Sequence, residues 1–296
     1  MKAVDAFGPG LKRAARPAIQ AAMRCFIFYP SPKVLVNSLP KSGTHLLANL
    51  MGRLPRMINS HLHFNSSHVI AMTQRDFPLC GDLPPVKREL CLKNLGRARN
   101  GQFVTAHLPV IPGLSNILKD SGYRHVLILR DPRDVLVSHV HFIMKEKTAG
   151  QIYRYFSQEL TSFDSRLMAM IRGIYDNPDC PNILPISTKL DHFGAWRDRA
   201  DVLECRYERL IGPKGGGSAE QQLAEIQRIA SYVDRPILLE DAQRIATKVW
   251  STKSRTFRNG IIGDWRDGFS EAHKDAFKEV AGDRLITWGY ETDDNW

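Results

Sequence analysis

Short, β-branched apolar runs alternate along this chain with stretches of helical period. Residues 34–39 (Val-Leu-Val-Asn-Ser-Leu) and 126–129 (Val-Leu-Ile-Leu) are too short and too continuous for surface helices, and they read as strands buried on both faces. A glycine-containing turn and a helical period over 44–54 follow the first run. After the second, Asp131 supplies an N-cap and Pro132 a first-position proline for a helix running towards Lys147. Strand, loop and helix, twice over, predict a parallel sheet, because parallel neighbours need a crossover connection. Residues 102–106 and 202–206 predict further strands, and 219–233 and 237–248 further helices. Residues 212–218, which include Gly215-Gly216-Gly217, precede a helix without directly following a buried strand, so they predict a plain surface loop rather than a phosphate cradle. The fold expectation is α/β: a single domain over 33–296 with a central, mostly parallel β-sheet flanked by helices, preceded by a basic segment over 1–32.

Composition narrows the setting. With 296 residues, 43% of them hydrophobic and 24% charged, the chain has the make-up of a globular protein with one substantial core. A net charge of +10 attracts polyanions, but there is no run of five like charges and no RNP-like, zinc-finger or basic-zipper pattern, so no nucleic-acid partner is expected. Five scattered cysteines without a C-x-x-C pair fit a reducing compartment better than a disulfide framework or a zinc site. No run of about 18 apolar residues exists to span a bilayer. Residues 11–28 mix Lys12, Arg13, Arg16 and Arg24 with Ile19, Met23, Phe26 and Ile27. That reads first as a solvated helix leading into the core, and second as a peripheral membrane contact. A cytoplasmic location is expected, membrane-associated if that segment docks.

Three segments carry anion chemistry. Lys41, Ser42, Gly43, Thr44 and His45 lie between a buried strand and a helix start, where backbone N–H groups and the helix dipole favour a phosphate or sulfate and Lys41 adds a full charge. The order is not that of a Walker loop, since the lysine precedes the glycine. Arg130 stands at the carboxyl end of the second strand, where open α/β sheets keep their ligands, with Ser138 two turns into the next helix. The alternative for Arg130 is an ion pair with Asp131 or Asp134. The third segment holds Arg258, Asn259, Gly260 and Arg266, whose arginines offer bidentate anion contacts.

Taken in order, Pro40-Lys41-Ser42-Gly43-Thr44, then Arg130-Asp131-Pro132-Arg133-Asp134 with Ser138, then Arg258-Asn259-Gly260 with Gly263-Asp264-Trp265-Arg266, resemble the signature set of the PAPS-dependent sulfotransferases. PAPS is 3′-phosphoadenosine 5′-phosphosulfate. The resemblance covers nearly the whole chain from about Val34. It implies a P-loop NTPase-like domain and an enzyme with PAPS as sulfuryl donor, PAP as product and no metal. It places the 5′-phosphosulfate on the first loop, the 3′-phosphate on Arg130, Ser138, Arg258 and Gly260, and the third segment as a closing loop. Thr105-Ala106-His107-Leu108-Pro109 is similar to the family's catalytic-histidine segment, implying His107 as general base for an alcohol, with Lys41 neutralising the departing phosphate. Tyr207-Glu208 matches the adenine-side element, and Trp250 is a second aromatic candidate.

Three departures stand out: His45 and Leu46 replace a threonine and an aromatic, Asn259 replaces a lysine, and Thr105 replaces the lysine near the catalytic histidine. His61 and His63 make too small a set for a metal, and His139 and His141 read as solvated or core-edge residues. His45 is placed beside the transferred group. The acceptor, a glycan or another hydroxylated molecule, is assigned to the stretches 60–83 and 148–192. The competing readings are a P-loop kinase or nucleotide hydrolase, and a non-catalytic polyanion-binding module.

Overall fold

The computed structural model describes residues 31–72, 77, 83–146, 150–180, 182–251 and 258–296. The basic N-terminal segment therefore lies outside the described residues, apart from positions 31 and 32. In chain order the elements are β1 (Lys33–Ser38), α1 (Thr44–Met51), β2 (Ile58–Asn65), α2 (Arg88–Leu95), β3 (Gln102–His107), α3 (Leu114–Asp120), β4 (Tyr123–Leu129) and α4 (Pro132–Lys145). They continue as α5 (Gln151–Gln158), α6 (Phe163–Arg172), α7 (Ile186–Gly194), β5 (Val202–Arg206), α8 (Tyr207–Leu210), α9 (Ala219–Tyr232), α10 (Leu239–Val249), α11 (Trp265–Gly268) and α12 (Glu271–Thr287).

Among the described residues the five strands form one sheet in the order β2-β3-β1-β4-β5, and every pairing is parallel. Alternation along the strands feeds two cores. Val34 and Val36 of β1, with Val126 and Ile128 of β4, pack on one face against Leu47 and Leu50 of α1, Ile226 and Ile229 of α9, and Val249 of α10. Leu35, Leu127 and Leu129 face the other way, towards Val135 and Val140 of α4, Ile171 of α6, Phe193 of α7 and Phe277 of α12. A sheet covered on both faces requires the continuous apolar runs seen in the sequence.

β2 was not expected. Its burial alternates cleanly from Ser60 to Asn65, but Asn59, His61 and His63 hide the pattern, and a register shift between Asn59 and His63 breaks the pairing with β3. Because all five strands run the same way, Ser38, His107, Leu129 and Arg206 end β1, β3, β4 and β5 on one rim of the sheet. β1 lies between β3 and β4, so the chain departs to both sides of it and leaves a crevice at its carboxyl end. No described helix is long and apolar enough to cross a membrane.

Candidate active site

The turn leaving β1 is tight. The Ser42 N–H donates to the Leu39 carbonyl at 3.1 Å, Lys41 takes a φ of 74° and Gly43 a φ of 106°, and Gly43 then caps α1, its carbonyl accepting from the Leu47 N–H at 3.1 Å. Ser42 is buried beneath the turn and does not line the cavity above it, unlike Lys41, Gly43, Thr44 and His45. A Cβ on Gly43 would stand 2.6 Å from Cδ2 of Tyr207, so the loop rests directly on that ring. Gly43→Ala combines this clash with a left-handed backbone costing roughly 1–2 kcal/mol. At about 2–4 °C per kcal/mol for a domain of this size, thermal unfolding of the variant should fall by several degrees. An unchanged melting temperature would show that the ring does not support the loop.

The cavity above the turn holds about 560 Å³. Lys41, Arg130 and Arg258 line it together with Ser138, Asn259 and Gly260, so the three sequence segments converge on one space. The Lys41 ammonium lies 4.2 Å from the centroid of the Phe142 ring. Burial, reinforced by the charges of Arg130, Lys145 and Arg258, pushes its pKa down to about 8. The Arg130 guanidinium stacks on Tyr207 at 4.3 Å and donates to the Ile261 carbonyl at 2.9 Å and to Asp134 at 3.3 Å. The ion pair considered from sequence thus exists with Asp134, whereas Asp131 is taken by Arg133 at 2.8 Å. Even so, Nε of Arg130 and Nε of Arg258 are buried without a hydrogen-bond partner. Cations gathered beyond their local acids suit a ligand with several negative charges.

Asp134, named from sequence only as a partner for Arg130, also organises the far wall. Its carboxylate accepts from the backbone N–H groups of Gly263 (3.0 Å) and Trp265 (2.8 Å), tying the 258–266 loop to the start of α4. Arg258 pairs with Asp264, and the Asn259 side-chain amide donates to the same carboxylate at 2.8 Å. Arg266 is exposed and does not line the cavity; its guanidinium lies over Trp265 at 4.8 Å. The triple-glycine stretch is not the plain surface loop expected. Gly215 is buried against the third segment: a Cβ there would lie 2.7 Å from the Gly260 carbonyl, and the Ile262 N–H donates to the Gly215 carbonyl at 3.0 Å. Tyr207, wedged between Gly43 and Arg130, lies inside this construction, and Trp250 lines the cavity beside Leu46, Ile211 and Val249.

His107 ends β3 at the edge of the same cavity. Its Nδ1 lies 2.9 Å from the Ser38 carbonyl, which can only accept, so Nδ1 carries the proton and the lone pair is on Nε2. The Ser38 hydroxyl is 3.3 Å from Nδ1 and 2.6 Å from the Thr44 hydroxyl, linking the base to the anion loop. Burial above all, with His63 edge-on at 4.8 Å, pushes the His107 pKa down to about 3, so the ring is neutral at pH 7.

A second cavity, of about 410 Å³, opens on the other side of His107. The two spaces share Pro40, His63, His107 and His139. Asn65, Ser66, Phe77, Ile152, Met170 and Ile183 belong to its lining, and they come from the two stretches assigned to the acceptor. His139 is therefore neither solvated nor at the core edge but at the junction, with burial holding its pKa near 3. His141 is exposed beside Phe163, as expected for a solvated residue. Among the described residues no group of three or more His, Cys, Asp or Glu is placed to hold a metal ion.

Comparison with known proteins matches this arrangement to one family. The family model described as a sulfotransferase domain matches residues 31–289. Human sulfotransferase 2A1 is 21% identical over 273 residues, covering 85% of this chain and 84% of the relative. Among solved structures, mouse sulfotransferase SULT7A1 complexed with PAP superposes with a TM-score of 0.57 at 16% identity, covering 86% of this chain and 84% of that one. Retinol dehydratase in complex with androsterone and inactive cofactor PAP gives 0.54 at 20% identity, covering 92% and 85%. These likenesses show a shared fold.

Proposed function

The chain belongs to the sulfotransferase domain family, and from that premise we propose that it moves the sulfuryl group of PAPS to the hydroxyl of a small, largely apolar acceptor, with His107 as base. The observation that carries this reading is the position of His107, its Nε2 lone pair unclaimed by the Ser38 contact, where a cation-lined cavity meets an apolar one.

The residues divide the work by chemistry. Arg130, Ser138, Arg258 and Gly260 are suited to the 3′-phosphate, and the loop around Lys41, Gly43, Thr44 and His45 to the phosphosulfate. Trp250 and the apolar side chains beside it offer a wall for adenine. The acceptor oxygen forms a bond to sulfur as the bond from sulfur to the phosphate oxygen breaks. The acceptor proton goes to Nε2 of His107, and Lys41 meets the charge that grows on the leaving phosphate. Leu39, Phe77, Val135, Leu136, Ile152 and Met170 line the acceptor side. Such walls favour a compact apolar alcohol over a glycan, whose many hydroxyls would lose water without partners there. The steroid and retinoid bound in retinol dehydratase structures support this preference.

Calorimetry with PAP and ADP in a chelating buffer tests the donor assignment. PAP should bind without Mg²⁺ and roughly 10²-fold more tightly than ADP, because charged contacts to the 3′-phosphate, a position ADP leaves as a hydroxyl, contribute about 1.5–3 kcal/mol each. Equal affinities, or a need for Mg²⁺, would instead favour a kinase-type site. The pH dependence has a definite sign. Lys41, held near 8 in the free protein, is charged below that pH and loses its proton above it. PAP affinity should therefore hold from about pH 7, where its phosphates are almost fully ionised, to about 7.5 and decline above about 8, and Lys41→Met should remove that decline.

A further inference from the structure

Lys189, on α7, lines the second cavity. Its ammonium nitrogen is buried with no hydrogen-bond partner. No Asp or Glu is found among the described residues lining that cavity, so none of them supplies the charge with a counter-ion. His139, which lines the same cavity, is kept neutral by burial and by the Lys189 charge itself. Ser66, on the turn after β2, lines the same space, and its hydroxyl is also buried without a partner. Burial pushes the Lys189 pKa down to about 8, which leaves it a cation at neutral pH. An uncompensated buried ammonium is costly, and a methionine would fill the same volume without that cost. The lysine does not line the cation-rich cavity, so its charge is not part of the donor cradle.

We propose that Lys189, assisted by the Ser66 hydroxyl, binds an anionic group of the acceptor, so that the preferred substrate is an apolar hydroxylated molecule carrying a carboxylate or similarly small anion. This rests on the donor and acceptor cavities being used as proposed above. The acceptor then spans its cavity with its hydroxyl at His107 and its anion at α7, and the apolar walls hold the body between. Two fixed ends select both charge and length, which an apolar cavity alone does poorly.

The test uses the PAP-saturated protein and three rigid acid–amide pairs of different span: 4-hydroxybenzoate, 6-hydroxy-2-naphthoate and 4′-hydroxybiphenyl-4-carboxylate, each against its primary amide. In calorimetry at pH 7, at least one acid should bind about 10- to 100-fold more tightly than its amide, the worth of a hydrogen bond to a charged partner. Lys189→Met should erase the preference and Lys189→Arg should keep it, while PAP affinity stays unchanged in both. Melting curves establish that the variants fold. Equal binding of every acid and amide, binding of none of them, or a preference that survives Lys189→Met overturns the proposal. Failure of the wild-type protein to bind PAP in the same experiment would instead overturn the donor assignment.

Discussion

His107→Ala should lower kcat for sulfuryl transfer by about 10²–10⁴-fold, the usual worth of a positioned general base, while PAP affinity changes only a few-fold. The selectivity follows from the contacts. Nδ1 is committed to the Ser38 carbonyl, which fixes the tautomer and leaves Nε2 as the basic nitrogen. The side chain bounds both cavities, so its loss removes the proton acceptor without disturbing the arginines that face the nucleotide. The depressed pKa means that His107 is unprotonated throughout the neutral range. The acid limb of kcat/KM should accordingly lie well below the ordinary imidazole value of about 6.5. A variant with near wild-type kcat would remove His107 from the chemistry. An acid limb near 6.5 that survives the substitution would assign it to another group.

Lys41→Met should be damaging in a different way. Its ammonium is half of the electrostatic case for the reaction, because charge accumulates on the leaving phosphate only as the bond to sulfur breaks. Removing one such preorganised group costs about 10²–10³-fold in kcat elsewhere, and here PAP affinity should fall as well, since the product carries the same phosphate. Lys41→Arg is not a conservative replacement. The lysine sits in a left-handed turn with its ammonium against Phe142, between the charges of Arg130 and Arg258, and a wider guanidinium has to displace one of them. Parallel losses in PAP binding and kcat are expected for Met. A loss of binding alone, with kcat at saturation unchanged, would confine Lys41 to ground-state recognition.

Much of this site was legible along the chain because its parts are local. The run 34–39, the turn at Lys41 and Gly43, and the Asp131-Pro132 helix start are each set by a few adjacent residues, and together they put Lys41 and Arg130 on one rim of a parallel sheet. What escaped reading depends on contacts made far along the sequence. Asp134 reads from sequence as a partner for Arg130, but its hold on Gly263 and Trp265 spans more than 120 residues, and nothing in Arg133-Asp134-Val135 announces those contacts. Gly215 needs to be glycine because the Gly260 carbonyl approaches it, so a composition that signals a loose loop belongs to a packed one. Ser42 illustrates the converse: its residue type suits an anion, but it is buried beneath the turn and does not line the cavity. His139 and Lys189 sit on helices whose sequence does not reveal which side faces the cavity. β2 was hidden by its polar positions, although the alternation of Leu62 and Phe64 with His61, His63 and Asn65 was there to be found.

The most direct measurement of the central claim is transfer of label from [³⁵S]PAPS, in chelating buffer, to a panel of compact hydroxylated acceptors that includes the hydroxy acids and amides above. Labelled sulfate ester should appear in step with PAP, with the wild-type rate reduced at least 10²-fold by either His107→Ala or Lys41→Met. PAP binding with no ester formed on any acceptor, or ester formed equally well by both variants, would contradict the account.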